Sequence, residues 1–159
     1  QNTKVARVMP NLCVSVKKGV SACCFSSDCR NEDKQFVESL FKELGITLSV
    51  DENKMNIITA ISGSGPGYLF KIMEVLIDIG KEEGLNEEDS GKLVYQTVSG
   101  AVALAITSNV SARALREKVT SKAGTTEAAL KVMDEYKIEE MFREAVKAAL
   151  NREKELSKE

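Results

Sequence analysis

The sequence predicts a mainly α-helical protein preceded by a short β-α-β segment. From Asp51 onward apolar residues recur at helical spacing almost to the end, whereas residues 1–50 hold three short β-type runs around one amphipathic stretch. The helical part is broken twice. Ser62-Gly63-Ser64-Gly65-Pro66-Gly67-Tyr68 and Thr120-Ser121-Lys122-Ala123-Gly124-Thr125-Thr126 insert glycine, proline and hydroxyl side chains. Glycine and proline are both unfavourable inside a helix, so small residues at two helix starts indicate room for a ligand or for close backbone packing.

The elements follow in order. Val5-Ala6-Arg7-Val8-Met9 reads as a strand that stops at Pro10, and Gly19 to Phe25 as a second. Asn31 to Leu44 places Phe36, Val37, Leu40, Phe41 and Leu44 on one helical face, with Gly45 where a helix-ending glycine belongs. Ile46 to Val50 is a third strand. A small isolated sheet is marginal, so this segment reads as part of a larger sheet. Asp51 is expected to cap a helix carrying Met55, Ile58 and Ile61. Pro66 then opens a long helix, at a position where its missing N–H costs little, and that helix ends near Gly84. Asn86 caps the next, through Leu93, Val94, Val98, Ala101, Val102 and Ala105. Ser111 starts a short helix ending near Val119, and Thr125 or Thr126 starts another. The last carries an apolar stripe from Ile138 to Leu150, and the charged tail from Asn151 to Glu159 is expected to fray.

Composition narrows the function. The 159 residues fit one domain, or one domain and part of another. Twenty-two basic and 24 acidic residues give a net charge of −2 with no basic stripe, which argues against nucleic acid as a partner. No apolar run approaches the roughly 20 residues that span a bilayer, and Gln1-Asn2-Thr3-Lys4 lacks a signal-peptide core. A first residue of Gln rather than Met reads as a cleaved product or an excised piece, with a missing upstream segment as the expectation. Histidine is absent, which excludes Ser-His-Asp and Cys-His catalysis and His-based zinc sites within the chain. Cys13, Cys23, Cys24 and Cys29 lack Cys-x-x-Cys pairing. They read as free thiols of a cytoplasmic protein, a disulfide or a metal being the alternatives. No metal is expected.

Three features carry candidate chemistry. Gly124-Thr125-Thr126-Glu127 places a glycine and two hydroxyls at a helix N-terminus, where unpartnered N–H groups and partial positive charge suit a carboxylate or phosphate; a plain threonine N-cap is the alternative. Ser62 to Pro66 keeps side chains out of a cleft, or simply permits a tight turn. Arg7-Val8-Met9-Pro10-Asn11 sets an amide at the carboxyl end of a strand, where ligands bind in open α/β sheets; a turn asparagine is the alternative. The small-residue-rich helix of residues 86–108 reads either as a core helix or as a subunit interface, the latter because obligate interfaces resemble a core cut in half.

In order and spacing, the Arg-Val-Met-Pro-Asn run, the Ser-Gly-Ser-Gly-Pro-x-Tyr run and the Thr-Ser-x-x-Gly-Thr-Thr run resemble the C-terminal part of pyrroline-5-carboxylate reductase, as do Glu32-Asp33-Lys34 and the Gly84-Leu85 turn. The resemblance covers nearly the whole chain. It implies a reductase that converts the cyclic imine 1-pyrroline-5-carboxylate to proline with NADPH or NADH, the final step of proline biosynthesis. It also implies a fold: residues 1–50 as the last elements of a Rossmann-type nucleotide-binding domain, and residues 51–159 as a helical dimerisation and substrate-binding domain. A homodimer is expected, with a larger ring as its extension. By the same resemblance Ser121, Gly124, Thr125 and Thr126 cradle the substrate carboxylate. Ser64 and Gly65 line the substrate, Thr59 is the catalytic hydroxyl beside the imine, and Asn11 contacts the nicotinamide. The Gly-x-Gly-x-x-Gly loop that holds dinucleotide phosphates does not occur, so these residues alone are expected to be inactive. The alternative is a non-catalytic helical assembly module that keeps the fold.

Two departures from the family pattern bear on the site. The family has Thr-Ser-Pro-Gly-Gly-Thr-Thr where this chain has Lys122 and Ala123, and Met-Pro-Asn-Thr-Pro where it has Leu12 and Cys13. If the first of those glycines takes positive φ, Ala123 is expected to be strained by about 1 kcal/mol.

Overall fold

The computed structural model describes residues 3–157, so Gln1, Asn2, Lys158 and Glu159, including the end of the expected frayed tail, lie outside the described residues. Strand β1 (Ala6–Pro10) pairs antiparallel with β2 (Gly19–Phe25), and β2 pairs parallel with β3 (Gly45–Ser49). The sheet order is β1-β2-β3. Helix α1 (Asn31–Lys42) supplies the crossover that a parallel pair requires. The Asp33 carboxylate accepts the Arg30 N–H at 2.8 Å and pairs with Lys4 at 2.6 Å, fixing the start of α1. Gly45 serves close packing rather than helix termination. It lies opposite Gly19 at φ +145°, and a Cβ on it would fall 2.0 Å from the Gly19 oxygen.

The stretch after β3 is not the single helix its periodicity predicts. It runs as a 3-10 turn (Glu52–Lys54), a short helix α2 (Met55–Ile58) and a π-helical turn (Thr59–Gly63). The π turn rotates the face by one residue, leaving Ile61 60% exposed while Met55 and Ala60 are buried. Helix α3 (Gly65–Glu82) then begins with a buried Pro66. It ends where the glycine signal places it. The Leu85 N–H returns to the Gly80 oxygen, the Gly84 N–H to the Lys81 oxygen, and Gly84 takes φ +96°, which is a Schellman cap.

Helix α4 (Glu87–Thr107) is capped by Asn86 on the Asp89 N–H, and α5 (Ala112–Val119) by Ser111 on the Ala114 N–H, as predicted. Helix α6 (Thr125–Glu135) begins at Thr125, one of the two predicted starts, and its N-cap is Gly124 rather than a threonine. Helix α7 (Ile138–Leu156) continues through the charged tail instead of fraying at Asn151. Arg152 pairs there with Glu155, and Glu153, only 19% exposed, lies against Arg7.

The chain divides into two compact units, residues 1–69 with 143–159, and residues 70–142. In the first, Ala22, Cys23, Met55 and Ala60 form the buried core. In the second, α4 exposes Leu93, Tyr95, Val102, Leu104 and Ile106. These side chains make a broad exposed apolar surface on the helix. No helix among the described residues is long and apolar enough to cross a membrane.

Candidate functional site

The candidate residues fall in the two units separately: Asn11, Thr59, Ser64 and Gly65 in the first, Ser121, Gly124, Thr125 and Thr126 in the second.

In the first unit, β1 ends at Pro10 and delivers Asn11 to the π turn. Asn11 Oδ1 accepts from the Cys13 N–H at 3.2 Å and the Val20 N–H at 3.3 Å, capping the 3-10 turn Leu12–Val16. Its Nδ2 donates to the Ser62 backbone oxygen at 3.2 Å and reaches Ser62 Oγ at 3.3 Å. The asparagine is thus a turn residue and a link between two of the sequence motifs at once. The Thr59 hydroxyl donates to the Met55 oxygen at 3.0 Å, which fixes the rotor and leaves its lone pairs as acceptors. The Ser64 N–H reaches the Thr59 oxygen at 2.9 Å, the i to i+5 bond that defines the π turn. Such turns recur at functional sites.

The glycines of this segment differ. A Cβ on Gly63 would meet Met9 Cε at 3.0 Å and Thr59 Cγ2 at 3.5 Å, so Gly63 is set by packing. A Cβ on Gly65 would meet nothing within 4 Å, so neither crowding nor backbone strain demands glycine there. The space that a Cβ on Gly65 would enter is open.

In the second unit, the loop before α6 closes through the Gly124 N–H on the Ser121 oxygen at 3.0 Å. Ala123, third in that turn, takes φ +59°, the left-handed conformation expected for it. A Cβ on Gly124 would lie 2.3 Å from Ser121 Oγ, so glycine here lets the serine hydroxyl fold over the helix start. Gly124 makes no side-chain cap hydrogen bond. The first-turn N–H groups, those of Thr125, Thr126 and Glu127, have no intrahelical acceptor. A threonine side-chain cap is therefore not formed: the helix starts from a glycine N-cap, with the hydroxyl-bearing Ser121, Thr125 and Thr126 beside it in sequence. A groove of about 460 Å³ runs along the other flank of α6, lined by Thr120, Ala123, Gly124, Glu127, Lys131 and Asp134 among others. Gly124 is the one predicted site residue that lines it.

Three contributors were given no role by the sequence. The Tyr68 hydroxyl donates to the Ala60 oxygen at 3.0 Å, and so supports the π turn. Arg7 is gripped by Glu52 and lies 3.8 Å from Glu153. Glu127 accepts the Ala123 N–H at 2.6 Å. Only the last had a readable signal, an acidic residue at the third position of a helix.

Cys23 and Cys24 are not activated as nucleophiles. Burial pushes the Cys23 thiol up, with help from Glu38; burial also raises Cys24, with the neighbouring Glu52 adding to it. Both are held protonated at neutral pH, whereas nucleophilic cysteines need a lowered value.

Residues 52–156 match the family described as pyrroline-5-carboxylate reductase dimerisation. Pyrroline-5-carboxylate reductase of Pseudomonas aeruginosa is 35% identical over 160 residues, covering 100% of this chain and 59% of the relative. That of Staphylococcus haemolyticus is 33% identical over 97% of this chain and 57% of its own length. Among solved structures, the Coxiella burnetii enzyme superposes with a TM-score of 0.93 at 38% identity, covering 97% of this chain and 57% of that one. The Plasmodium falciparum pyrroline carboxylate reductase, crystallised with NADP bound, gives 0.91 at 33% identity, over 97% and 62%. The chain thus spans between 57% and 59% of these two curated relatives. With this match and these identities along its length, the chain belongs to the pyrroline-5-carboxylate reductase dimerisation family.

Proposed function

We propose that this chain is the dimerisation and substrate-binding part of an NAD(P)H-dependent pyrroline-5-carboxylate reductase, acting in the cytoplasm as a homodimer or a larger ring of dimers. Residues 1–50 complete a nucleotide-binding domain and residues 51–159 form the helical domain. The single observation that carries the reading is the N-terminus of α6, which has no side-chain cap, with Ser121 and Thr126 beside it. Free N–H groups at a helix start suit a carboxylate, and the substrate of this reaction is a cyclic imino acid.

In this reading Ser121, Gly124, Thr125 and Thr126 hold the carboxylate. Ser64 and Gly65 form the wall that lets two flat rings approach, and Asn11 sits at the nicotinamide end. Asn11 also holds the wall in place through Ser62. The open face at Gly65 fits a nicotinamide ring, but no residues here fit dinucleotide phosphates, because no Gly-x-Gly-x-x-Gly occurs. The nicotinamide, NADPH or NADH, supplies the hydride when bound. The chain's own residues orient. Thr59 Oγ1, its proton engaged on the Met55 oxygen, offers a lone pair to the protonated imine nitrogen, and the seat fixes the ring so that the C=N carbon faces the hydride.

The test is NAD(P)H oxidation by the full-length polypeptide with 1-pyrroline-5-carboxylate supplied. Thr126→Ala should raise the substrate KM about tenfold, the loss of one hydrogen bond to a charged group. Unchanged kcat and KM in that variant would remove the seat. A second reading, an assembly module without turnover, is favoured by the departures at Leu12-Cys13 and Lys122-Ala123, with Ala123 at positive φ; it predicts an intact dimer that never oxidises NAD(P)H.

A further inference from the structure

The loop before α6 contains a strained residue tied to a charged side chain. Ala123 sits at φ +59°, a conformation disfavoured for any residue with a Cβ. The turn from Ser121 to Gly124 wants glycine or asparagine at that third position, yet the chain supplies alanine. The Glu127 carboxylate accepts the Ala123 N–H at 2.6 Å, a charge-assisted bond. In an ordinary capping box an acidic residue at the third helical position returns to the N-cap N–H. Here that N–H, on Gly124, is already given to the Ser121 oxygen at 3.0 Å. The carboxylate therefore reaches one residue further back, onto the strained alanine.

We infer that Glu127 is a positioning residue for the carboxylate seat: it clamps Ala123 in the left-handed conformation and so fixes Ser121 over the α6 N-terminus. This rests on the reading of residues 121–126 as that seat. Glu127 touches no reacting atom. Its carboxylate is spent on the turn, which leaves the first-turn N–H groups of α6 to the substrate.

The clamp has a specific genetic signature. Glycine visits positive φ without penalty, so Ala123→Gly should make Glu127 dispensable. In the full-length enzyme, Glu127→Ala should raise KM for 1-pyrroline-5-carboxylate about tenfold with kcat changed less than about threefold, a uniform-binding loss. Glu127→Gln, which keeps an acceptor oxygen, should hold KM within about threefold of the parent. The double variant Ala123→Gly with Glu127→Ala should return KM to within about threefold. The Ala123 amide proton, followed by NMR without substrate, should move upfield in Glu127→Ala. A KM rise from Glu127→Ala that is equal with and without Ala123→Gly would overturn the clamp. So would a Glu127→Gln variant as impaired as Glu127→Ala, or a KM that Thr126→Ala raises and Glu127→Ala does not. If the amide shift moves but neither Thr126→Ala nor Glu127→Ala alters KM, the seat itself is misplaced and the positioning role falls with it.

Discussion

Asn11 donates from Nδ2 to the backbone oxygen of Ser62 at 3.2 Å, across 51 positions of sequence. One amide thus joins the end of β1 to the π turn, and its oxygen simultaneously caps the turn that follows β1. Asn11→Ala removes both halves. Loss of the cap costs about 1 kcal/mol, and the half-buried Ser62 oxygen left without its donor costs about 1 kcal/mol more. Urea unfolding should show a loss of about 2 kcal/mol. Asn11→Asp keeps the capping oxygen but removes the donor, and should lose about half as much; full retention of stability in either variant would show that the link carries no load.

The strands, the long helices and their caps were legible because each has a local cause. Asn86, Ser111 and Gly84 act within one or two turns of their own position, and the structure finds them in those roles. What was not legible depends on partners far away or on backbone geometry with no side-chain signature. The periodicity of Met55, Ile58 and Ile61 concealed a π turn, because the extra residue is inserted by the Thr59–Ser64 bond rather than by any residue type. The tail from Asn151 looked like fraying charge because its partner, Arg7, stands at the other end of the chain. At the α6 start the threonine N-cap, read as the alternative, is not formed; the N-cap is Gly124, with the Ser121 hydroxyl close beside it.

Gly80 and Ser90 predict a coupled pair. Ser90 is 1% exposed and its hydroxyl finds no partner among the described residues. A Cβ on Gly80 would lie 2.7 Å from that oxygen and 3.3 Å from Ser90 Cβ. Gly80→Ala should therefore destabilise by about 1–3 kcal/mol through overpacking. Ser90→Ala removes an unsatisfied buried group and should be neutral or slightly stabilising. In the Ser90→Ala background the Gly80→Ala penalty should shrink by about 1 kcal/mol, because the closest clash is gone. Strict additivity in thermal unfolding would mean that the two helices separate instead.

Stability should fall with acid through Glu52. Its carboxyl is held below the usual value first by the Arg7 guanidinium and then by the Cys24 thiol. Because the folded value is the lower one, the contribution is complete above the unfolded value near 4.5 and is lost as pH drops through the folded one. The side chain is 60% exposed, so the effect is screened to roughly 0.5 kcal/mol or less. Glu52→Gln should flatten the stability curve below pH 4.5 and leave its slope at neutral pH unchanged. A variant whose acid limb matches the parent's would show that Arg7 gains nothing from Glu52 when it is folded.

Tyr68 should be the stability determinant of the π turn. An i to i+5 bond leaves helix carbonyls without their usual donors, and Pro66, which lacks an N–H, cannot supply one. The Ala60 oxygen belongs to a residue that is 1% exposed, so water is a poor substitute, and the Tyr68 hydroxyl fills the role at 3.0 Å. Tyr68→Phe keeps the ring and removes only that donor. It should cost about 1–1.5 kcal/mol, seen as a Tm lower by about 2–6 °C in a chain of this size. Tyr136, 83% exposed, is the matched control, and Tyr136→Phe should stay within about 0.5 kcal/mol of the parent. Equal Tm values for Tyr68→Phe and Tyr136→Phe would mean that the Ala60 carbonyl is satisfied some other way and that the turn stands without its tyrosine.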